Sequence, residues 1–246
     1  MDNINNKYRV WQSEELSRNY LEGIRVAIPL ADLQIQLMMK IINTWRKKVT
    51  SFLDLGCGDG VLGRAILKSY PDVKGIFIDF SDSMIEAAHK KIRTSESIKI
   101  IKSDFTSSDW QHGLGDNKDF DVIVSGFAIH HQPDDRKKEL YKETYGLLAP
   151  SGIFLNLEHV ASSTDTIKSI FDDYFIDHLY AFHRHADSNT TRQEVAEKYY
   201  NHPDKSANIL TLVEIQCDWL REIGFKDVDC FFKVFELALF GARKLL

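Results

Sequence analysis

Thr50-Ser51-Phe52-Leu53-Asp54-Leu55-Gly56-Cys57-Gly58-Asp59-Gly60 is a short apolar run that ends in three glycines at alternate positions. The residues that follow, Val61–Tyr70, have helical spacing, so the stretch reads as strand, tight turn, helix. Glycines let the backbone turn sharply and approach a guest closely, because no Cβ intervenes. The amides of the helix N-terminus then face whatever occupies the turn. The spacing is G-x-G-x-G with Asp54 ahead of it, whereas dinucleotide-binding turns carry G-x-G-x-x-G. A carboxylate at that place repels a pyrophosphate and attracts an ammonium group, which favours a guest with an amino-acid portion. The plainer alternative is a glycine-rich turn with no guest.

The same rhythm continues outward. Val73–Phe80, Ser97–Ile101, Asp119–Ile129 and Gly152–Val160 read as strands, and Ser83–Glu96 and Asp134–Leu148 as the helices among them. Continuous Val, Ile, Leu and Phe runs suit strands buried on both faces. Their alternation with helices predicts a doubly wound α/β fold. Residues 13–47 read as helices parted by Pro29. Residues 161–208 break the alternation with an aromatic-rich helix followed by a polar stretch. Ile209–Ile223 reads as a last helix capped by Gly224, and Asp227–Phe232 and Val234–Ala242 as a tight antiparallel pair. The chain is expected to be one domain: a helical lid (1–49), a ligand-binding core (50–160), a helical cap (161–208) and a closing helix and strand pair (209–246).

Composition narrows the function. The 246 residues carry 31 Lys and Arg against 36 Asp and Glu, for a net charge of −5, with 43 % hydrophobic and 27 % charged residues. That is an ordinary globular mixture. No basic track suits nucleic acid, and Lys137 and Lys138 read as part of a solvated helix face. No run of about 18 apolar residues suggests a membrane span. Three widely spaced cysteines form neither a disulfide framework nor a zinc motif. The first ten residues lack a signal-peptide core, so a cytoplasmic protein is expected.

Two further aspartates end strands. Asp79 follows the loop by about twenty positions, where an acidic residue can accept ribose hydroxyls. It could instead cap the next helix, but Ser81 and Asp82 are available for that. Asp104 ends the third strand, where it could accept an adenine amine while Phe105 packs on the ring; a solvated loop carboxylate is the plainer reading.

Together Asp54-x-Gly56-x-Gly58-x-Gly60, Asp79-x-Ser81-x-x-Met84, Ser103-Asp104-Phe105, Phe120-Asp121-Val122-Ile123 and Leu147-Leu148-Ala149-Pro150-Ser151-Gly152-Ile153 resemble the successive motifs of class I S-adenosylmethionine-dependent methyltransferases. The resemblance covers residues 50–160 in order, and 209–243 match the family's ending. It implies a Rossmann-like seven-stranded sheet of order 3-2-1-4-5-7-6 with the seventh strand antiparallel. It also implies that S-adenosylmethionine is bound and S-adenosylhomocysteine released. By position, Asp54, Gly56, Cys57 and Gly58 would hold the methionine portion. Asp79 would bind the ribose, with Phe80, Met84, Asp104, Phe105 and Phe127 around the remainder of the cofactor.

The acceptor site in such sheets lies beyond the C-terminal strand ends. There the chain carries His130 and His131 after the fourth strand, and Glu158 and His159 at the end of the fifth. His130, His131 and His159 are the candidate bases, since a histidine titrates near neutrality; service as scaffold is the alternative. Strand alternation sends Glu158 and His159 to opposite faces, so one of the two should line the site. Glu158, His178, His183 and Arg25 are candidate substrate contacts; for Arg25 the alternative is a helix surface. The aromatics Trp11, Tyr20, Phe171, Tyr174, Phe175, Tyr180 and Phe182 would shape an apolar acceptor pocket or form the lid's own core.

A metal site built from these histidines is the sharper alternative, but none has tight zinc spacing, and no metal is expected. Ser125-Gly126-Phe127-Ala128 lacks the Asn/Asp-Pro-Pro-aromatic motif of enzymes that methylate amino groups of nucleic acids and protein glutamine. The expected activity is therefore methylation of a small, apolar or aromatic molecule at O, N or C, in a chain that a homodimer would suit. The competing readings are a relative that modifies S-adenosylmethionine itself and a binding protein without turnover.

Overall fold

A computed structural model describes residues 7–19 and 27–245. Arg25 and Tyr20 lie outside the described residues. Seven strands form one sheet: β1 (Ser51–Leu55), β2 (Lys74–Asp79), β3 (Ile98–Lys102), β4 (Phe120–Gly126), β5 (Leu148–His159), β6 (Lys226–Val234) and β7 (Leu237–Arg243). Their order is β3-β2-β1-β4-β5-β7-β6. The first five strands are parallel, and β7 runs antiparallel to both β5 and β6. This is the expected sheet, including the antiparallel seventh strand.

Both faces of the sheet are apolar, and each is covered. Phe52, Phe77, Val122, Val124 and Leu155 pack under α2 (Ala31–Trp45), α3 (Val61–Ser69) and α4 (Asp82–Lys91). Leu53, Ile78, Ile123, Phe154 and Phe240 pack on the other face beneath α5 (Asp134–Leu147) and α8 (Val213–Ile223). The short helix α1 (Glu14–Asn19) sets Leu16 against Met84 and Trp11 at the sheet's C-terminal edge. Beyond the same edge, α6 (Asp165–Ala186) and α7 (Arg192–Tyr200) bring Phe171, Phe175, Leu179 and Val195 together with Ile28 and Leu237.

Several boundaries differ from the sequence expectation because long-range bonds outcompete local propensity. The fourth strand stops at Gly126, not Ile129, because Phe127 takes a left-handed φ of +51° and residues 129–131 form a 3-10 turn. The helix expected from Ile209 begins at Val213. Residues 209–211 stay extended because the Ile209 N–H donates to the His130 carbonyl at 2.9 Å and the Ala161 N–H to the Thr211 carbonyl at 3.1 Å. The helix expected to reach Glu96 ends at Lys91, since the next residue, Ile92, turns extended and is buried in the core. The polar stretch after α6 contains α7, started by a Thr191–Glu194 capping box. Gly224 ends α8 in the left-handed conformation, as expected of a C-terminal cap.

Lys137 is not on a solvated face. Its residue is 1 % exposed, and its ammonium donates to Asp134 at 2.8 Å, to Thr211 Oγ1 at 2.6 Å and to the Ile209 carbonyl. A buried ammonium needs such acceptors, and here they hold the 209–211 segment against α5.

Helix α3 approaches the sheet through Gly63, where a Cβ would lie 2.2 Å from Phe77 Cε1 and 2.8 Å from Phe52 Cε2. Both rings are fully buried. Overpacking of this kind costs about 1–3 kcal/mol. Gly63→Ala is therefore expected to lower the melting temperature by about 3–10 °C, measured by differential scanning calorimetry, whereas Gly146→Ala, with open space around it, should not lower it.

Candidate active site

The glycine turn is held by its own aspartates. Asp54 Oδ2 accepts the Gly63 N–H at 2.8 Å, fastening the first turn of α3 to the end of β1. Asp79 Oδ2 accepts the Gly58 N–H at 2.8 Å, and Oδ1 accepts the Ser81 N–H at 3.0 Å. Asp79 was expected to be left free by the helix cap. Instead its carboxylate braces the loop, and the Ser81 hydroxyl donates to the Trp11 carbonyl at 2.7 Å rather than capping α4. Burial raises the Asp79 pKa above the ordinary carboxylate value, although the Ser81 and Gly58 amides oppose the rise. Gly56 and Gly58 have φ of +70° and +55°, which side chains rarely adopt, and a Cβ at Gly56 would meet Ala128 at 2.3 Å.

Above this loop lies a cavity of about 600 Å³. Asp54, Gly56, Cys57 and Gly58 form its floor. Asp79, Phe80 and Met84 form one side, and Asp104, Phe105 and Phe127 complete it. All ten residues expected around the cofactor thus meet in one space. Asp104 Oδ1 accepts the Thr106 N–H at 3.0 Å, which shapes its loop. Arg136 locks that loop from behind: Nε donates to the Phe105 carbonyl at 2.9 Å, and the guanidinium forks onto Glu143 at 2.8 Å. Burial raises the Cys57 pKa well above its ordinary value, helped by Asp79 and Asp54, so it stays a thiol.

Three carboxylates ending three adjacent strands suit a ligand rich in N–H and O–H donors with a positive centre. S-adenosylmethionine offers an ammonium, a ribose diol, an adenine amine and a sulfonium, and it fits this acceptor set.

A second cavity of about 1090 Å³ lies next to the first. Trp11, Ile28 and Phe127 line both, so the two spaces meet at an apolar septum. His130, His159 and His183 line the second cavity, with Phe171, Phe175 and Leu179 of α6 beside them. His131 instead lines the first. The two neighbouring rings lie 3.9 Å apart between centroids. His131 Nδ1 lies 3.3 Å from the Ala207 carbonyl, which only accepts, so its proton sits on Nδ1. Burial pushes the pKa of both His130 and His131 well below the ordinary histidine value, keeping them neutral at neutral pH.

Glu158 does not line either cavity; it is 0 % exposed beneath His130. Its Oε1 lies 2.5 Å from His130 Nδ1 and accepts the His159 N–H at 2.9 Å, while Oε2 accepts the His130 N–H at 3.1 Å. It therefore orients a histidine rather than touching a guest. As strand alternation requires, His159 faces the cavity and Glu158 does not. Burial pushes the Glu158 carboxyl up to about 7, against the His159 amide and nearby positive groups.

His178 also lies away from both cavities. It sits one position before Leu179 on α6, its ring tilted against Tyr174 with centroids 4.4 Å apart and Nδ1 3.0 Å from the Tyr174 carbonyl. Tyr174 and Tyr180 flank the α6 core, while Phe171, Phe175 and Phe182 line the cavity. Among the described residues, no group of three or more His, Cys, Asp or Glu could hold a metal ion.

Sequence reading missed Glu236 and Asn208. Glu236 Oε2 lies 2.8 Å from His159 Nε2, and Asn208 lines the second cavity. Neither belongs to a motif; each is brought in by a turn remote in sequence.

Residues 52–152 match the family model described as a methyltransferase domain. Malonyl-[acyl-carrier protein] O-methyltransferase 1 of Ilyobacter polytropus is 27 % identical over 161 residues, covering 65 % of this chain and 55 % of that protein. Demethylmenaquinone methyltransferase of Staphylococcus aureus is 29 % identical over 143 residues, covering 54 % of this chain and 56 % of that protein. The chain spans just over half the length of these curated relatives. The solved structure of human N-acetylserotonin methyltransferase in complex with S-adenosylmethionine superposes with a TM-score of 0.53 at 15 % identity, covering 99 % of this chain and 57 % of that one. No helix of the described residues is long and apolar enough to cross a membrane. The sheet order, with its reversed seventh strand, and the methyltransferase-domain match of residues 52–152 agree with the motifs of residues 50–160 and support a class I S-adenosylmethionine-dependent methyltransferase.

Proposed function

We propose that this protein methylates a hydroxyl group of a small aromatic or apolar molecule, with His130 as general base. The observation that carries this reading is the pair of abutting cavities, one walled by aspartates and the other by a carboxylate-oriented histidine, with Phe127 between them. We read the whole chain as one catalytic domain in which residues 161–208 cover the acceptor.

S-adenosylmethionine, when bound, supplies a methyl group already activated by its sulfonium. Asp54 and the close-approaching backbone of the Gly56–Gly58 turn would hold its amino-acid portion, Asp79 its ribose, and Asp104, Phe105 and Met84 its adenine. What remains for the protein is to align the acceptor and to remove its proton. Alignment falls to Phe127, Phe171 and Phe175, whose rings also exclude water.

Proton removal depends on the tautomer of His130. With Glu158 ionised, the carboxylate accepts from Nδ1–H, and the Nε2 lone pair, beside Asn208, is the one an acceptor hydroxyl would meet. With Glu158 protonated, its O–H donates to Nδ1, the imidazole proton moves to Nε2, and the base is blocked. Activity is therefore lost as pH falls through the Glu158 value of about 7.

The cofactor half is tested by calorimetry. S-adenosylhomocysteine at a hundred times its Kd should raise the melting temperature by about 5–10 °C. Asp79→Ala should weaken its binding more than about tenfold, and His130→Ala less than about threefold, in variants whose circular dichroism matches the wild type. No thermal shift at millimolar ligand would remove the cofactor assignment. Tight binding without methyl transfer to any hydroxylated aromatic acceptor would instead favour a non-catalytic binding protein.

The base is tested with a phenolic acceptor. The kcat/KM of the wild type should rise with pH to a plateau, with its inflection near 7. Glu158→Gln should abolish that inflection, and His130→Ala should lower kcat by about 10²–10⁴ without a comparable change in cofactor affinity. An unchanged inflection in Glu158→Gln would assign the titration to another group.

A further inference from the structure

The acceptor cavity holds a second imidazole–carboxylate pair, which proton removal by His130 does not use. His159 ends β5, and its Nε2 lies 2.8 Å from Glu236 Oε2. Glu236 occupies the two-residue turn between β6 and β7, directly after Phe235, whose φ is +51°. That left-handed residue reverses the chain over the end of β5, where the Val160 N–H donates to the Glu236 carbonyl at 2.8 Å. The Glu236 side chain is 3 % exposed. Burial alone would raise its pKa, but the hydrogen bond with His159 and the Lys168 charge hold it below the ordinary value.

A carboxylate only accepts, so the proton of a neutral His159 ring lies on Nε2, and Nδ1 keeps a lone pair. Among the described residues none hydrogen-bonds that Nδ1. The ring is fixed by Phe171 and His130, each 5.7 Å away between centroids, and it lines the same cavity as His130. The cavity thus presents two oriented imidazole acceptors among aromatic walls.

We propose that His159, oriented by Glu236, accepts a hydrogen bond from a second hydroxyl of the acceptor, which makes the preferred substrate a di- or polyhydroxylated aromatic molecule. This rests on the reading of His130 as the base for the first hydroxyl. The physical argument is one of pairing. A guest with a single hydroxyl covers the His159 lone pair with carbon and leaves a polar group unsatisfied in a largely apolar space. Sites built to bond a hydroxyl reject analogues that lack it far more strongly than apolar pockets reject an added group. The volume of about 1090 Å³ exceeds the need of a single ring and admits fused or substituted ring systems.

The test uses the full chain saturated with S-adenosylhomocysteine at pH 8. Binding of 2-naphthol and of the isomeric dihydroxynaphthalenes is measured by titration calorimetry, and methyl transfer is followed in parallel with S-adenosylmethionine. At least one dihydroxy isomer should bind the wild type tenfold or more tightly than 2-naphthol. His159→Phe should erase that preference while leaving 2-naphthol binding no weaker than in the wild type. His159→Gln, whose side-chain carbonyl can still accept, should retain part of it.

Equal affinity of the wild type for both probe types, no binding of either, or parallel loss of both in His159→Phe and His159→Gln would overturn the proposal. The base reading fails separately. A dihydroxy preference that His159→Phe removes, with no methyl transfer in the wild type, would support the His159 assignment and count against His130.

Discussion

A carboxylate buried at the C-terminal edge of the sheet governs the half of this molecule around the second cavity. Glu158 cannot meet water, so every lone pair it presents must be satisfied from within. The donors come from both sides of the β4–β5 boundary: the His130 ring and backbone from beyond β4, the His159 backbone from the end of β5, and the Asn156 amide at 3.4 Å. Asn156 lies within 3.4 Å of the Tyr141 hydroxyl, which donates to Gln216 at 2.6 Å. One buried charge therefore ties two strand ends to α5 and α8 and sets the face that His130 turns outward.

The two cavities differ in their walls. The first is walled by aspartates that accept loop and helix amides and so shape the turn. The second is walled by imidazoles and aromatic rings together with Glu194, Lys198, Asp204 and Lys205. Phe127 stands between them in a left-handed conformation, braced by its N–H on the Leu157 carbonyl at 2.8 Å. Backbone strain of this kind persists where surrounding bonds over-determine it.

The walls of both cavities are held from behind by buried cations. Arg136 fastens the loop that carries Asp104 and Phe105, and Trp110 adds an indole bond to Glu143 at 2.7 Å. Lys137, the next residue of the same helix, fastens the segment that carries Asn208 and Ile209. Adjacent residues of α5 thus brace the two cavities separately. A buried charge with several fixed acceptors specifies geometry more than it adds stability.

The sequence by itself determined the sheet and the residues that line the first cavity. Both follow from local signals: apolar runs set the strands, alternate glycines set the turn, and Asp54, Asp79 and Asp104 lie within a few residues of strand ends whose direction is common to all parallel strands. Any chain with that order must bring those carboxylates to one edge. The acceptor side was legible only as a supply of histidines. Whether His130, His131, His159 or His178 faces a guest depends on a left-handed turn at Phe127, on the phase of α6 and on a hairpin that returns Glu236 to His159 across 77 positions. Even the role of Lys137 was reversed, because a charge run marks a solvated face only when nothing covers it. Local periodicity fixes which way a strand's side chains point. The pairing of buried donors with buried acceptors is settled only when distant segments pack, and in this protein that pairing oriented His130 and His159.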